Sequence, residues 1–146
     1  MPDLKQVIPE LALWTTNVEA WIGAVGRFDH AVGYGHLFWP DFKVYQDSVL
    51  FADCPSESFD NWMQHTNGDR AAVERVLNHR HILELFENSE FKATRNIVLY
   101  LGKLLLDTWS CKLARDFPDR TIIVNFDEEY CEDLVDYQIT FFQRRE

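Results

Sequence analysis

Residues 96–109 read NIVLYLGKLLLDTW. Ile97, Leu101, Leu104, Leu105 and Trp109 recur at the three- and four-residue spacing of a helix, and Leu113 extends the stripe. Val98, Leu99 and Leu106 widen it until little of the middle is polar. A helix that is apolar around most of its circumference is covered on more than one side. The pattern therefore predicts a central buried helix over about 90–117. Lys103 interrupts the run, which is also shorter than the ~20 apolar residues that cross a bilayer.

Towards the C-terminus the period changes from helical to two. RTIIVNF sets Ile122, Val124 and Phe126 against Thr121, Ile123 and Asn125. DLVDYQITFF sets Val135, Tyr137, Ile139 and Phe141 against Asp136, Gln138 and Thr140. Such alternation is the signature of a half-buried antiparallel hairpin. FKVYQDSVLF, residues 42–51, is β-branched and aromatic and reads as one strand, or two kinked at Gln46 to Ser48. It is expected to supply the third member of the hairpin's sheet.

Towards the N-terminus the elements are helical. TNVE, from Thr16 to Glu19, has the spacing of a capping box. Val18, Trp21, Ile22, Val25, Phe28 and Val32 follow on one helical face, which should stop before Pro40. Ser56 is expected to cap a helix ending at Gly68, and Asp69 to cap another running through RAAVERVLNHRHILELF. The expected architecture is one α+β domain over 1–146, with helices around the central one and a small antiparallel sheet.

Composition narrows the function. Only 14 Lys and Arg stand against 24 Asp and Glu, a net charge of −10. That argues against nucleic acid, whose backbone demands clustered cations. The same charge favours a basic protein partner and speeds its arrival. Aromatic residues make up 14%, enough to fill a core and to leave anchors outside it. Cys54, Cys111 and Cys131 form no disulfide framework and no CxxC pair. MPDLKQVIPELALW shows no basic region followed by a long apolar stretch, so the expected compartment is a reducing cytoplasm, with no membrane association.

The candidate sites follow from residue type and spacing. NHRHILELFE, residues 78–87, holds His79, His81 and Glu84. On a helix the two imidazoles stand about 200° apart, so one metal cannot readily take both, whereas His81 and Glu84 could share a proton or a ligand. Zinc wants three or four ligands, and no further set is evident. Surface or half-buried histidines are the reading adopted, and no metal or cofactor is implied. Gly23, Gly26, Gly33 and Gly35 place four of six glycines within thirteen residues, in no phosphate-loop order. Close helix packing, or a break near Gly33–Gly35, is the expected reason. Cys54 precedes a proline and a candidate helix start, where a thiolate would be somewhat favoured, while Cys111 is read as core.

DEEYCEDLVD, residues 127–136, is acidic at six of its ten positions. It lacks the glycine and the alternating oxygen ligands of a calcium loop. One reading is a solvated hairpin turn. The other is a contact surface in which Asp127, Glu128, Glu129, Glu132, Asp133 and Asp136 surround an aromatic anchor, Tyr130. The expected function is accordingly a small acidic protein-binding domain, of the kind that inhibits or confers immunity to a basic toxin or nuclease. A hydrolase using His79 or His81 with Glu84 is the first alternative. The second is a small-molecule module lined by Trp21, Tyr34 and Trp39.

Overall fold

The computed structural model describes residues 3–13, 17–87, 89 and 92–146. Thr16 and Glu90, expected near helix starts, lie outside the described residues. The fold is α+β. Its helices are α1 (Leu4–Val7), α2 (Val18–Val25), α3 (Phe28–Phe38), α4 (Ser56–His65), α5 (Arg70–Leu77) and α6 (Arg95–Asp116), and its strands β1 (Phe42–Tyr45), β2 (Ser48–Phe51), β3 (Arg80–His81), β4 (Ile122–Phe126) and β5 (Gln138–Gln143).

The central helix is α6. The Thr94 hydroxyl accepts the Ile97 amide at 3.3 Å and opens it. Its buried face is Val98, Gly102, Leu105, Trp109, Lys112 and Leu113. The helix is apolar nearly all round because α1, α3, β4 and β5 all lie against it. At Gly102 the approach is closest. A Cβ added there would stand 2.1 Å from Phe126 Cζ, so only a residue without one allows the strand this near.

β4 and β5 pair antiparallel from Ile122↔Gln143 to Phe126↔Ile139, the hairpin that the alternation predicts. Ile139 and Phe141 face α6 within the main core. Residues of the other parity meet α5: Thr140 donates to the Arg75 carbonyl at 2.7 Å, and the Arg75 guanidinium lies 3.9 Å above the Phe142 ring.

The third strand of this sheet is not the segment 42–51. It is β3, which pairs with the other side of β5. β1 and β2 form a hairpin of their own, closed by Gln46 and Asp47 at φ 46° and 65°, the left-handed pair of a tight two-residue turn. β2 is buried on both faces. Val49 and Phe51 join the main core, and Leu50 joins Phe59 and Val73 in a second cluster. Asn78 links the two hairpins. Its buried amide donates to the Val49 carbonyl at 3.1 Å and the Phe141 carbonyl at 3.2 Å. The helix expected through residue 86 therefore ends at Leu77, and the chain turns into β3 and a short 3-10 turn at Leu83–Phe86. Asp69 caps α5 as expected, its carboxylate accepting the Ala72 amide at 3.1 Å. Gly68, at φ +85°, follows α4, whose N-cap is Pro55 and not Ser56.

α2 and α3 depart most from the sequence pattern. Asn17 caps the first, and the pair is broken at Gly26–Arg27. Neither helix contains a fully buried residue, and Phe28 and Val32 are 96% and 78% exposed. Leu37 and Phe38 hold α3 to the core, and the Trp109 indole donates to the Leu37 carbonyl at 3.0 Å. A Cβ on Gly23, Gly33 or Gly35 would meet nothing within 4 Å. Close packing within the chain therefore does not explain these three glycines. It explains Gly102. Among the described residues no helix is long and apolar enough to cross a membrane.

Two substitutions separate these cases. Gly102→Ala should destabilise the fold by about 1–3 kcal/mol through overpacking against Phe126, less the gain in helix propensity. Gly33→Ala should stabilise it by up to about 1 kcal/mol. Urea unfolding followed by tryptophan fluorescence reads both. A Gly102→Ala midpoint equal to or above wild type would refute the close contact, and a Gly33→Ala midpoint well below wild type would refute the open face.

Candidate functional site

The acidic loop joins β4 to β5 and is a formed structure. Asp127 accepts the Glu129 amide at 2.9 Å, and Asp133 accepts the Val135 amide at 3.1 Å, opening a 3-10 turn at Leu134–Asp136. The buried Tyr137 hydroxyl accepts the Cys131 amide at 3.2 Å, and Arg95 of α6 donates to the Cys131 carbonyl at 2.9 Å. The same guanidinium lies 4.3 Å from the centre of the Tyr130 ring, which is otherwise exposed. Lys103 reaches Glu128 at 3.3 Å. Asp127, Glu128, Glu129, Glu132, Asp133 and Asp136 are all exposed. Five carboxylates and one aromatic ring are thus displayed outward on a braced loop, with Glu128 partly neutralised.

The loop borders a groove of about 1450 Å³. Ile97, Val98 and Leu101 of α6 form one side, and Leu83 and Phe86 with Leu134 and Val135 form another. Tyr34 and Phe38 of α3, and Leu4 and Val7 of α1, also line it. Its charged lining residues are Glu84, Glu87, Glu132, Asp133, Asp136 and Lys92, all exposed. None of these five carboxylates enters an ion pair among the described residues. Loop residues singled out by their charge are therefore joined by two carboxylates from elsewhere in the chain. Glu87 was not among the residues marked by the sequence pattern. Its signal is the three-residue spacing from Glu84, which a 3-10 turn stacks on one side.

The histidines lie differently from the helical expectation. His81 is on β3 and His79 just precedes it, so the 200° separation does not apply. Their rings meet edge to face at 5.2 Å. Each Nδ1 faces a carbonyl, Val76 for His79 and Val135 at 2.6 Å for His81. A carbonyl only accepts, so each Nδ1 must be protonated and donate. Glu84 turns into the groove, whose lining includes neither histidine. Among the described residues no three His, Cys, Asp or Glu side chains are grouped to hold a metal ion.

The remaining candidates are structural. Burial pushes the Cys54 thiol up, against a smaller opposing effect of Lys43, which runs counter to the thiolate expected at the helix start. Cys111 is exposed on α6 and is not core. Of the three aromatics proposed for a ligand pocket, only Tyr34 lines the groove. Glu74 is completely buried, and each of its oxygens is used. One accepts from Ser48 at 3.1 Å and from Arg145 at 2.7 Å, and the other accepts the Gln143 amide at 2.7 Å. Nothing in the local sequence distinguishes this carboxylate from exposed ones.

Comparison with models of protein families, with curated proteins and with solved structures gave no match in any of the three.

Proposed function

We propose that this chain is a protein-binding domain for a basic partner, of the inhibitor or immunity type, with Asp127, Glu128, Glu129, Tyr130, Glu132, Asp133 and Asp136 as its contact surface. The observation that carries this reading is the braced, outward display of the loop's carboxylates around an exposed tyrosine. A solvated turn needs no such bracing. A surface that must meet a partner with little ordering cost benefits from it. Exposed carboxylates of one sign raise the encounter rate with a cation-rich surface, and a ring at their centre offers contact area once the surfaces meet.

A hydrolytic reading has less support. Glu84 lies in a groove whose lining includes neither the His79 nor the His81 ring. General acid–base work needs the two groups within reach of one substrate proton.

The test is kinetic. The tagged chain is used to recover binding proteins from its native cell, and association of the recovered partner is followed by stopped flow for wild type and for Glu129→Lys/Glu132→Lys/Asp133→Lys. The partner should be cation-rich. The triple variant should associate about tenfold more slowly at low salt, with a flatter dependence on ionic strength. An on-rate indifferent to the three reversals would reject the loop as the steering surface.

A further inference from the structure

Resting on the reading above, we infer that the groove beside the acidic loop is the seat of an amphipathic helix presented by the basic partner, with apolar residues on the groove floor and Lys or Arg against its carboxylates. Three observations lead there.

The first is size. A volume of about 1450 Å³ exceeds the ~300–1,000 Å³ usual for a small-molecule pocket. It is comparable with the envelope of about three helical turns, at a diameter of ~10 Å and a rise of ~1.5 Å per residue.

The second is polarity. The apolar lining includes Leu83, Phe86, Ile97, Leu101, Leu134 and Val135, each at least partly buried, while among the described residues the charged lining residues are the exposed Glu84, Glu87, Glu132, Asp133, Asp136 and Lys92. An apolar lining that shares its groove with exposed negative charge is complementary to an apolar stripe flanked by positive charge. A purely apolar occupant would leave the carboxylates unused, and a purely cationic one would leave the floor wet.

The third is backbone chemistry. Among the described residues the groove is lined mainly from α1, α3, α6 and the two 3-10 turns, and no strand residue lines it, so they offer no ladder for an extended segment to join. Strand addition needs such an edge. A helix satisfies its own interior amides and carbonyls and asks only for side-chain contacts, which is what these walls offer.

The probe is a labelled peptide of about 14 residues made of Leu and Lys at helical amphipathic spacing. It is titrated against the full chain by fluorescence anisotropy, with far-UV circular dichroism reporting its helicity. A peptide of the same composition with Leu and Lys alternating, and a helical Leu and Glu peptide, serve as comparisons. The helical Leu and Lys peptide should bind at least tenfold tighter than either and gain helicity on binding. Leu101→Lys and, independently, Glu84→Lys/Asp136→Lys should each weaken it at least tenfold. Val32→Lys on the exposed α3 face and Asp107→Lys/Asp119→Lys, which make matching charge changes outside the groove, should leave it within about twofold. Thermal unfolding of each variant separates a lost site from a lost fold, and the rim pair keeps the test decisive if Leu101→Lys unfolds. Equal binding of the alternating peptide overturns the inference, as does sensitivity to Val32→Lys instead of the groove variants. A recovered natural partner that obeys the loop's charge but is not displaced by the peptide also overturns it, while leaving the protein-binding reading intact. A peptide held in the groove together with a partner on-rate blind to the loop reversals would sink that reading instead.

Discussion

The contact between Gly102 and Phe126 sets the distance at which the central helix meets its sheet, and the acidic loop is placed by that distance. Phe126 is the last residue of β4, so the ring that lies against Gly102 belongs to the residue from which the loop departs. The neighbouring Lys103 reaches Glu128 two residues beyond the ring. About two turns earlier on the same helix, Arg95 holds the Cys131 carbonyl and stacks on Tyr130. One helix thus fixes the base of the loop by shape and its crest by charge. A larger residue at 102 would push β4 outward and misalign both cationic braces, because packed interiors transmit displacement rather than absorb it.

The other end of the β4–β5 hairpin is fixed by a buried charge. Glu74 joins α5, the first residue of β2, the last residue of β5 and Arg145 beyond it. Asp47 adds a second junction, accepting from Arg120 and Arg145 at the turn between β1 and β2. An unpaired carboxylate in this position would be costly, so the fold depends on all its partners being present together. These contacts join segments that are far apart in sequence, which leaves the loop as the accessible concentration of like charge at the opposite end of the hairpin.

What could be read in the sequence was whatever periodicity and local chemistry determine. The stripe of α6, the alternation of β4 and β5, the Asp69 cap and the left-handed Gly68 are all decided by neighbours within a few residues. What could not be read was decided at long range. The stretch from Asn78 to Phe86 carries helical spacing, yet the Asn78 amide bonds to carbonyls from β2 and β5, and the Ile82 amide bonds to the Tyr137 carbonyl. These pairings override a weak local preference. Glycine is ambiguous for the same reason. Four clustered glycines suggested packing, yet of these only Gly26 is close to anything, the Ile22 carbonyl of its own helix, while Gly102, which packs against a strand residue, stands alone in an apolar run, and only the position of Phe126 distinguishes it. For the site, the six acids of the loop were visible as composition, but Glu84 and Glu87 join them only through folding.

Among the described residues, the groove and the face of α2 and α3 both expose apolar side chains, and their electrostatics differ. The face of α2 and α3 shows Ile22, Val25, Phe28 and Val32, and its nearby charges are largely self-cancelling, with Arg27 paired to Asp29 at 2.7 Å and that carboxyl held below its usual range by the guanidinium. Such a face exerts little pull at a distance, because a close ion pair presents only a dipole to solvent. The groove adjoins carboxylates that form no ion pair among the described residues and sum in the same direction, within a chain whose net charge is already −10. Field and apolar contact area are adjacent there, so on the proposed reading the surface that would attract a cationic partner is also the one that could desolvate against it. Attraction without an apolar floor would give encounter without residence, and an apolar floor without attraction would give residence without selection. On the proposed reading the hairpin loop would supply the first and α6 the second, and Gly102 lets the Phe126 ring at the base of that loop lie against α6.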